Sequence, residues 1–138
     1  MTVAIRTSIS EAVAEFALST NFSSAPDELY GRATRAFIDT VGVAIAGRRE
    51  ECFTILDTTL PRSTGKATIL PTRTQATAAE AALLNGAAGH ALDYDDVADQ
   101  IKGHPSVVLV SALLALAEAK GSSGRQLLDA YAVGFEVG

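Results

Sequence analysis

The chain has 138 residues, of which 48% are hydrophobic and 6% aromatic, and its formal net charge is −5. This length fits one domain, and an acidic chain with scattered basic residues is not expected to bind nucleic acid, because phosphate backbones need a basic patch. The single cysteine, Cys52, excludes an internal disulfide and a cysteine-held iron–sulfur cluster within this chain. The N-terminus lacks the apolar core of a secretory signal, and the longest apolar run, residues 107–117, is shorter than the ~20 residues of a membrane span. We therefore expect a soluble cytoplasmic protein that does not enter a membrane.

Local start and stop signals predict a helical chain. Ser8 with Glu11 three residues later forms a capping-box pattern, and Pro26 followed by two acids is typical of a helix start. Pro105 again marks a first helical turn, and glycines follow several of the predicted helices. After a loose leader at residues 1–7, helices are predicted at about 8–18, 26–46, 51–60, 74–92, 105–119 and 124–138, with at most a brief extended segment near 66–70.

The helix predicted at 105–119 has apolar residues on every face, which is typical of a helix buried all round. About six helices can surround such a helix only thinly, and the last predicted helix has no polar tail. We therefore expect an all-α fold in which residues 1–138 form one incomplete helical domain. This domain would belong to a larger protein or associate in a tight oligomer.

The segment 85–106 holds the residues best suited to catalysis or ligand binding. Both histidines of the chain, His90 and His104, lie there with Asp93, Asp95 and Asp96 among apolar neighbours. On a helix, His90 and Asp93 would share one face. Carboxylates beside a histidine are what a proton-transfer site needs, and free backbone N–H groups after Pro105 could receive a substrate carboxylate.

Other interpretations of these residues remain open from spacing alone. His90 could be structural, and Asp95 and Asp96 could cap a loop or pair with arginine. The spacing Asp93-x-Asp95 is similar to a calcium loop, but the positions that require glycine and glutamate hold Ala98 and His104. A metal site built from His90, Asp93 and His104 is possible in ligand type, yet no dense ligand motif supports it.

The segment AAEAALLNGAAGHALDYDDV, followed by GHPS, resembles the MmgE/PrpD family, which includes 2-methylcitrate dehydratase and cis-aconitate decarboxylase. The hallmark of that family is N-G-x-x-x-H-x-L-D-[FY]-D-D followed shortly by H-P-S. The flanking segments KATILP and LLDAYAVGFEVG are also similar to family segments, so the resemblance covers the chain from about residue 8. The matching positions are Asn85, Gly86, His90, Leu92, Asp93, Tyr94, Asp95, Asp96, His104, Pro105 and Ser106.

The resemblance implies that this chain is the N-terminal part of a helical domain, with a lid domain and a C-terminal helical part absent. It also implies a homodimer, or association with the missing part, and a small di- or tricarboxylic acid as substrate. The implied reaction is a 2-methylcitrate dehydratase-like elimination by general acid–base catalysis, without metal or other cofactor. Residues of the family that lie further downstream are needed for activity, so we expect the isolated chain to be inactive.

Carried over by position, the resemblance assigns catalysis to Asp93 and His104. It assigns substrate binding, or shaping of the substrate site, to His90, Asp96 and Ser106, and it implies no metal ligand. Val97 stands where some members have threonine, and residues 97–103 lack the aromatic and histidine residues of the decarboxylases. This favours dehydration or epimerisation over decarboxylation. The alternatives are an epimerase, isomerase or decarboxylase on the same scaffold, or a non-catalytic helical module from a truncated or split gene.

Overall fold

Six helices and one short hairpin make up the computed structural model, which describes residues 8–20, 22 and 25–138. The predicted leader, residues 1–7, lies outside the described residues. The expected fold class, mainly helical with one brief extended segment, is confirmed. In chain order the elements are α1 (Ile9–Ser19), α2 (Asp27–Ala46), α3 (Glu51–Thr59), β1 (Ala67–Ile69), β2 (Thr74–Ala76), α4 (Ala78–His90), α5 (Pro105–Lys120) and α6 (Gly124–Val137), and a 3₁₀ turn at Gly47–Arg49 joins α2 to α3.

Three helices begin with a capping box, in which the capping side chain and the third helical residue satisfy each other's backbone N–H groups. These reciprocal bonds explain why the helices start where they do, since the first N–H groups of a helix have no partner inside it. The pairs are Ser8 with Glu11 in α1, Thr77 with Glu80 in α4, and Ser123 with Gln126 in α6.

The start of α4 corrects the sequence prediction. The helix was expected from about residue 74, but residues 74–76 form β2, which pairs antiparallel with β1. The register aligns Ala67 with Ala76 and Ile69 with Thr74. The Thr77 cap therefore begins the helix only at residue 78.

A buried amide joins this hairpin to α4. The Asn85 side chain is fully buried, receives a hydrogen bond from the backbone N–H of Leu70 at 2.8 Å, and donates to the carbonyl of Thr68 at 2.9 Å. Both backbone groups would otherwise lack a partner on the outer edge of a two-stranded sheet. Asn85 thus fixes the position of the hairpin on the helix that leads into the candidate site.

Close packing of α4 on α5 forms the centre of the fold, with α2 and α6 beside them. Small residues make the close approach possible. At Gly89 an added Cβ would lie 2.8 Å from Cγ2 of Val107, and at Gly47 it would lie 2.1 Å from the carbonyl oxygen of Ala88. Gly89 thus makes room for the Val107 side chain of α5, and Gly47 lets the turn after α2 approach the backbone of α4.

The expectation that α5 is buried on every face is wrong. Ser106, Val107, Val110, Ser111 and Ala115 are buried, but Val108 is 68% exposed and Leu116 is 46% exposed. The apolar stripe that these two residues mark has no neighbouring element to cover it among the described residues. Neither α5 nor any other helix in the described part of the chain is long and apolar enough to cross a membrane.

Candidate active site

The loop between α4 and α5, residues 91–104, brings four ionisable side chains together. α4 ends at His90, α5 begins at Pro105, and the loop is held by a hydrogen bond from the Ala98 N–H to the Gly103 carbonyl at 2.9 Å. One nitrogen or oxygen atom from each of His90, Asp93, Asp95 and His104 lies within 4.8 Å of the others. The structure therefore assembles both histidines and two of the three clustered acids in one place.

Asp93 occupies a turn directly after α4. Its backbone N–H donates to the His90 carbonyl at 3.1 Å, and its φ is +55°, the left-handed region that aspartate tolerates better than bulky residues. The expectation that His90 and Asp93 share a helix face is therefore wrong, because the helix ends at His90. The turn instead leaves the Asp93 side chain 79% exposed, with Oδ1 3.5 Å from Nε2 of His104.

Asp95 lies beneath the two histidines with no exposed side-chain surface. Nδ1 of His90 is 3.1 Å from each of its carboxylate oxygens, and Nδ1 of His104 is 3.3 Å from Oδ2. The two rings meet edge to face, with centroids 4.6 Å apart. A buried carboxylate is costly unless it is paired, so the imidazoles compensate for its burial.

Asp96, the third clustered acid, contacts Ser106 and is not among the four grouped side chains. Its carboxylate accepts hydrogen bonds from the backbone N–H of Ser106 at 3.0 Å and from the Ser106 hydroxyl. The Ser106 hydroxyl, on a residue only 1% exposed, also lies 2.7 Å from the hydroxyl of Tyr131 on α6. Asp96 and Ser106 thus connect the loop to two helices.

Tyr131 completes this network as the donor. Burial raises the pKa of the Tyr131 hydroxyl, and the nearby charge of Asp96 acts in the same direction, against the opposing hydrogen bond with Ser106. The phenol therefore keeps its proton. Because the Ser106 hydroxyl donates to the carboxylate, Tyr131 donates to Ser106.

His104 is the N-cap residue of α5, so its ring lies at the positive end of the helix dipole. The sequence suggested that backbone N–H groups in the first turn could receive a substrate carboxylate. The N–H of Ser106 is already donated to Asp96, and Pro105 has none. Asp96 therefore takes one of the places that a substrate carboxylate would have used.

Two site residues were missed by sequence reasoning. Asp95 stands among the ionisable residues of the segment but was not predicted to act at the site, and Tyr131 lies on the last predicted helix, outside that segment. The available signals were an acid inside an apolar segment and a tyrosine hydroxyl that needs a partner when buried. His90 has a side chain that is 55% exposed, and it contacts Asp95 in the cluster.

The cluster supports two kinds of chemistry. Two imidazoles and two carboxylates are ligand types that a divalent transition metal accepts, so the four groups fit such an ion by donor type. An imidazole whose Nε2 faces an exposed carboxylate across 3.5 Å is also suited to moving a proton to and from a bound molecule.

Comparison with known proteins adds one finding. A family model described as MmgE/PrpD N-terminal domain matches residues 11–138. The match includes the whole 91–104 loop and every helix except the first two residues of α1. No curated protein and no solved structure matches the chain significantly.

Proposed function

The chain belongs to the MmgE/PrpD family, and we propose that it supplies the proton-transfer groups of a lyase that acts on a small di- or tricarboxylic acid. The proposed reaction is a 2-methylcitrate dehydratase-like elimination that needs no metal. The observation that carries the proposal is the 3.5 Å approach of His104 Nε2 to Asp93 Oδ1 at the surface of a largely apolar fold. This places a base and an exposed carboxyl group side by side.

In this mechanism His104 takes a proton from the carbon next to a substrate carboxylate. The C–H bond breaks, a bond from the proton to Nε2 forms, and the electron pair stays on the substrate. The pair then forms the double bond as the hydroxyl group leaves with a second proton as water. Asp93, with its side chain 79% exposed and beside Nε2, donates that second proton from its carboxylic acid form and is then reprotonated from solvent, while His104 returns its proton to solvent.

The remaining predicted site residues have different parts in the proposal. His90 is exposed at the mouth of the cluster and is positioned to meet substrate. Asp96 and Ser106 satisfy each other and so shape the site by holding the loop to α5. Val97 is 66% exposed on the same loop and offers no hydroxyl to a substrate. Residues 97–103 contain no aromatic residue or histidine, which supports dehydration over decarboxylation on the family pattern.

The charge of the loop bears on substrate affinity. Residues 91–104 carry four aspartates, Asp93, Asp95, Asp96 and Asp99, against the single Lys102. A polycarboxylate is repelled by such a surface unless cationic groups are added. We therefore propose that these cationic groups come from a second copy of the chain or from a C-terminal part. The isolated chain would then bind 2-methylcitrate weakly and not turn it over. We also propose that the assembly acts in the cytoplasm.

There are two alternatives to the proposed dehydratase: another enzyme that uses the same site residues, and a non-catalytic module that uses none of them. An epimerase, isomerase or decarboxylase would share the first proton transfer and differ only in the later steps of the reaction. A non-catalytic helical module is favoured by a separate observation, the exposed apolar stripe marked by Val108 and Leu116 on α5, because such a stripe suits association with another chain.

The first experiment tests ligand class on the chain itself by NMR. Because the chain contains two histidines, each ring gives a separately identifiable signal. We expect millimolar 2-methylcitrate to shift the His104 signal, and the neutral methyl ester of the same acid to leave it unchanged. Binding of the ester equal to that of the acid would contradict a polycarboxylate site.

The second experiment tests catalysis in a chimera. Residues 11–138 replace the matching domain of an active 2-methylcitrate dehydratase, and the unsaturated acid is followed by absorbance. Asp93→Asn and His104→Gln are each expected to lower kcat by roughly 100-fold or more. Asp99→Asn, which removes the same charge from an exposed position on the loop, is the matched control and should stay active.

The outcomes separate the alternatives. Solvent deuterium appearing at the α-carbon without loss of water would favour an epimerase. Full activity of both variants would refute the assigned roles. A folded chimera without exchange or turnover on any di- or tricarboxylate tested would refute the enzyme proposal and favour the helical module.

A further inference from the structure

We infer that Asp95 is a positioning residue that holds both histidines in one tautomer and directs Nε2 of His104 toward the proton to be moved. The role in catalysis rests on the proposed function, whereas the ring tautomers are a property of the chain alone. No part of the proposed mechanism requires Asp95 to touch substrate.

Burial of the Asp95 carboxylate is the first observation. Its side chain has no exposed surface, while Asp93 two residues earlier is 79% exposed. The loop therefore presents one of these acids to solvent and turns the other inward. A carboxylate buried in this way accepts hydrogen bonds and donates none, so any ring nitrogen bonded to it carries a hydrogen.

The contacts of this carboxylate are the second observation. Nδ1 of His90 lies 3.1 Å from both of its oxygens, and Nδ1 of His104 lies 3.3 Å from Oδ2. Both rings thus present the same nitrogen to one acceptor. The hydrogen bond to Asp95 places the hydrogen on Nδ1 of His90. In His104, Nδ1 lies 3.3 Å from the buried carboxylate of Asp95, and Nε2 lies 3.5 Å from the exposed carboxylate of Asp93. Because solvent screens the exposed charge and not the buried one, the hydrogen of His104 is favoured on Nδ1 and the lone pair on Nε2.

Only one of the two contacts is a hydrogen bond, and this difference gives each ring its own role. His90 forms a hydrogen bond with Asp95, but the 3.3 Å contact of His104 lacks hydrogen-bond alignment, and its buried Nδ1 has no other partner among the described residues. His90 anchors the carboxylate, and a small rotation of the His104 ring aligns its Nδ1–H with Oδ2. The positive charge that His104 gains on taking a proton then faces an anion already in place.

The test is a measurement of the two ring tautomers by ¹⁵N NMR on the whole chain. The spectra are recorded at about pH 9, above the usual range for histidine. The wild-type protein is expected to show Nδ1–H in both rings. A predominant Nε2–H form of His104 in the wild type would overturn the inference whether or not any variant folds.

Three substitutions sharpen the test. Asp95→Asn has the same shape but brings an amide donor to the rings, and we expect the tautomer ratio of at least one ring to change by roughly tenfold or more, because a charge-assisted acceptor is lost. His90→Gln assigns the signals, and His104 should keep the Nδ1–H form in it. Asp99→Asn removes a charge from an exposed residue of the same loop and should leave both tautomers unchanged. An unchanged ratio in a folded Asp95→Asn protein would refute the inference.

Two further readouts distinguish this inference from its alternatives. The spectra are recorded with and without a chelator. If the tautomers differ between these two samples, a bound metal fixes the tautomers, and Asp95 is refuted as the cause. In the chimera, Asp95→Asn is expected to lower kcat at least tenfold with little change in KM, as a group acting through His104 should. If the unsubstituted chimera is inactive but the chain shows the expected tautomers, the proposed function is refuted. The orientation of the rings by Asp95 is then still supported.

Discussion

Replacing Gly89 with alanine is expected to destabilise the chain, whereas the same replacement at Gly86, one turn earlier on α4, is expected to stabilise it. Both glycines lie inside the helix, where alanine is favoured by about 1 kcal/mol. The two positions differ in what the new methyl group meets. At Gly86 it would lie 3.7 Å from the Ser111 hydroxyl oxygen, an ordinary contact, but at Gly89 it would lie 2.8 Å from Cγ2 of Val107.

The size of the effect depends on this overlap. Val107 is 5% exposed and β-branched, so its side chain has little freedom to move aside, and the two central helices must separate slightly. Overpacking of this kind costs about 1–3 kcal/mol. We expect Gly86→Ala to raise the free energy of unfolding by up to ~1 kcal/mol, and Gly89→Ala to fall about 1–3 kcal/mol below that control.

Urea unfolding followed by circular dichroism measures both variants against the wild type. A double-mutant cycle identifies the cause, because Val107→Ala removes the methyl groups that the new Cβ would meet. In that background Gly89→Ala should be neutral or stabilising, with a coupling of about 0.5–3 kcal/mol. Equal stabilisation by Gly89→Ala and Gly86→Ala in the wild-type background would refute the argument from close helix contact.

Two other predictions concern the hairpin and the cap of α4. Asn85→Ala leaves the N–H of Leu70 and the carbonyl of Thr68 without partners and should cost about 3 kcal/mol in urea unfolding. Asn85→Asp places a buried carboxylate against the Thr68 carbonyl at neutral pH and recovers a donor only when it is protonated, so its loss of stability should decrease as the pH falls. A loss that stays constant with pH would show that the amide does not act through its bond to Thr68. Hydrogen bonds from Thr77 hold the pKa of Glu80 below its ordinary value, so its stabilising contribution is present at neutral pH and is lost as the pH falls through the lowered folded-state pKa. The stability difference between the wild type and Glu80→Gln should therefore shrink between pH 7 and about pH 3, and a difference that stays constant would contradict this assignment.

Short-range signals explain why most helix limits were predicted correctly. The reciprocal bonds of Ser8 with Glu11, and the missing N–H of Pro105, act within one turn of the chain. Such signals are local in sequence and can be interpreted without the rest of the fold. The family motif in residues 85–106 was recognised for a similar reason, since it is a run of residue types in one continuous segment.

Other features depend on residues that are distant in the chain. Residues 74–76 look helical by composition, but they form a strand because β1 lies beside them and Asn85 holds that pair. The exposure of Val108 likewise depends on which faces of α5 the other helices cover. Local propensity cannot supply either result, because tertiary partners decide both.

The sequence by itself determined the helical class, the family and the segment that carries the candidate site. Only the tertiary structure decided where each acid of that segment lies and what it contacts. Asp93, Asp95 and Asp96 are the same residue type within four positions, yet one is exposed beside His104, one is buried beneath both histidines and one holds Ser106. The reason is that burial and pairing of a carboxylate depend on where the loop turns and on the helices that meet there, and these are set by the packing of the whole chain.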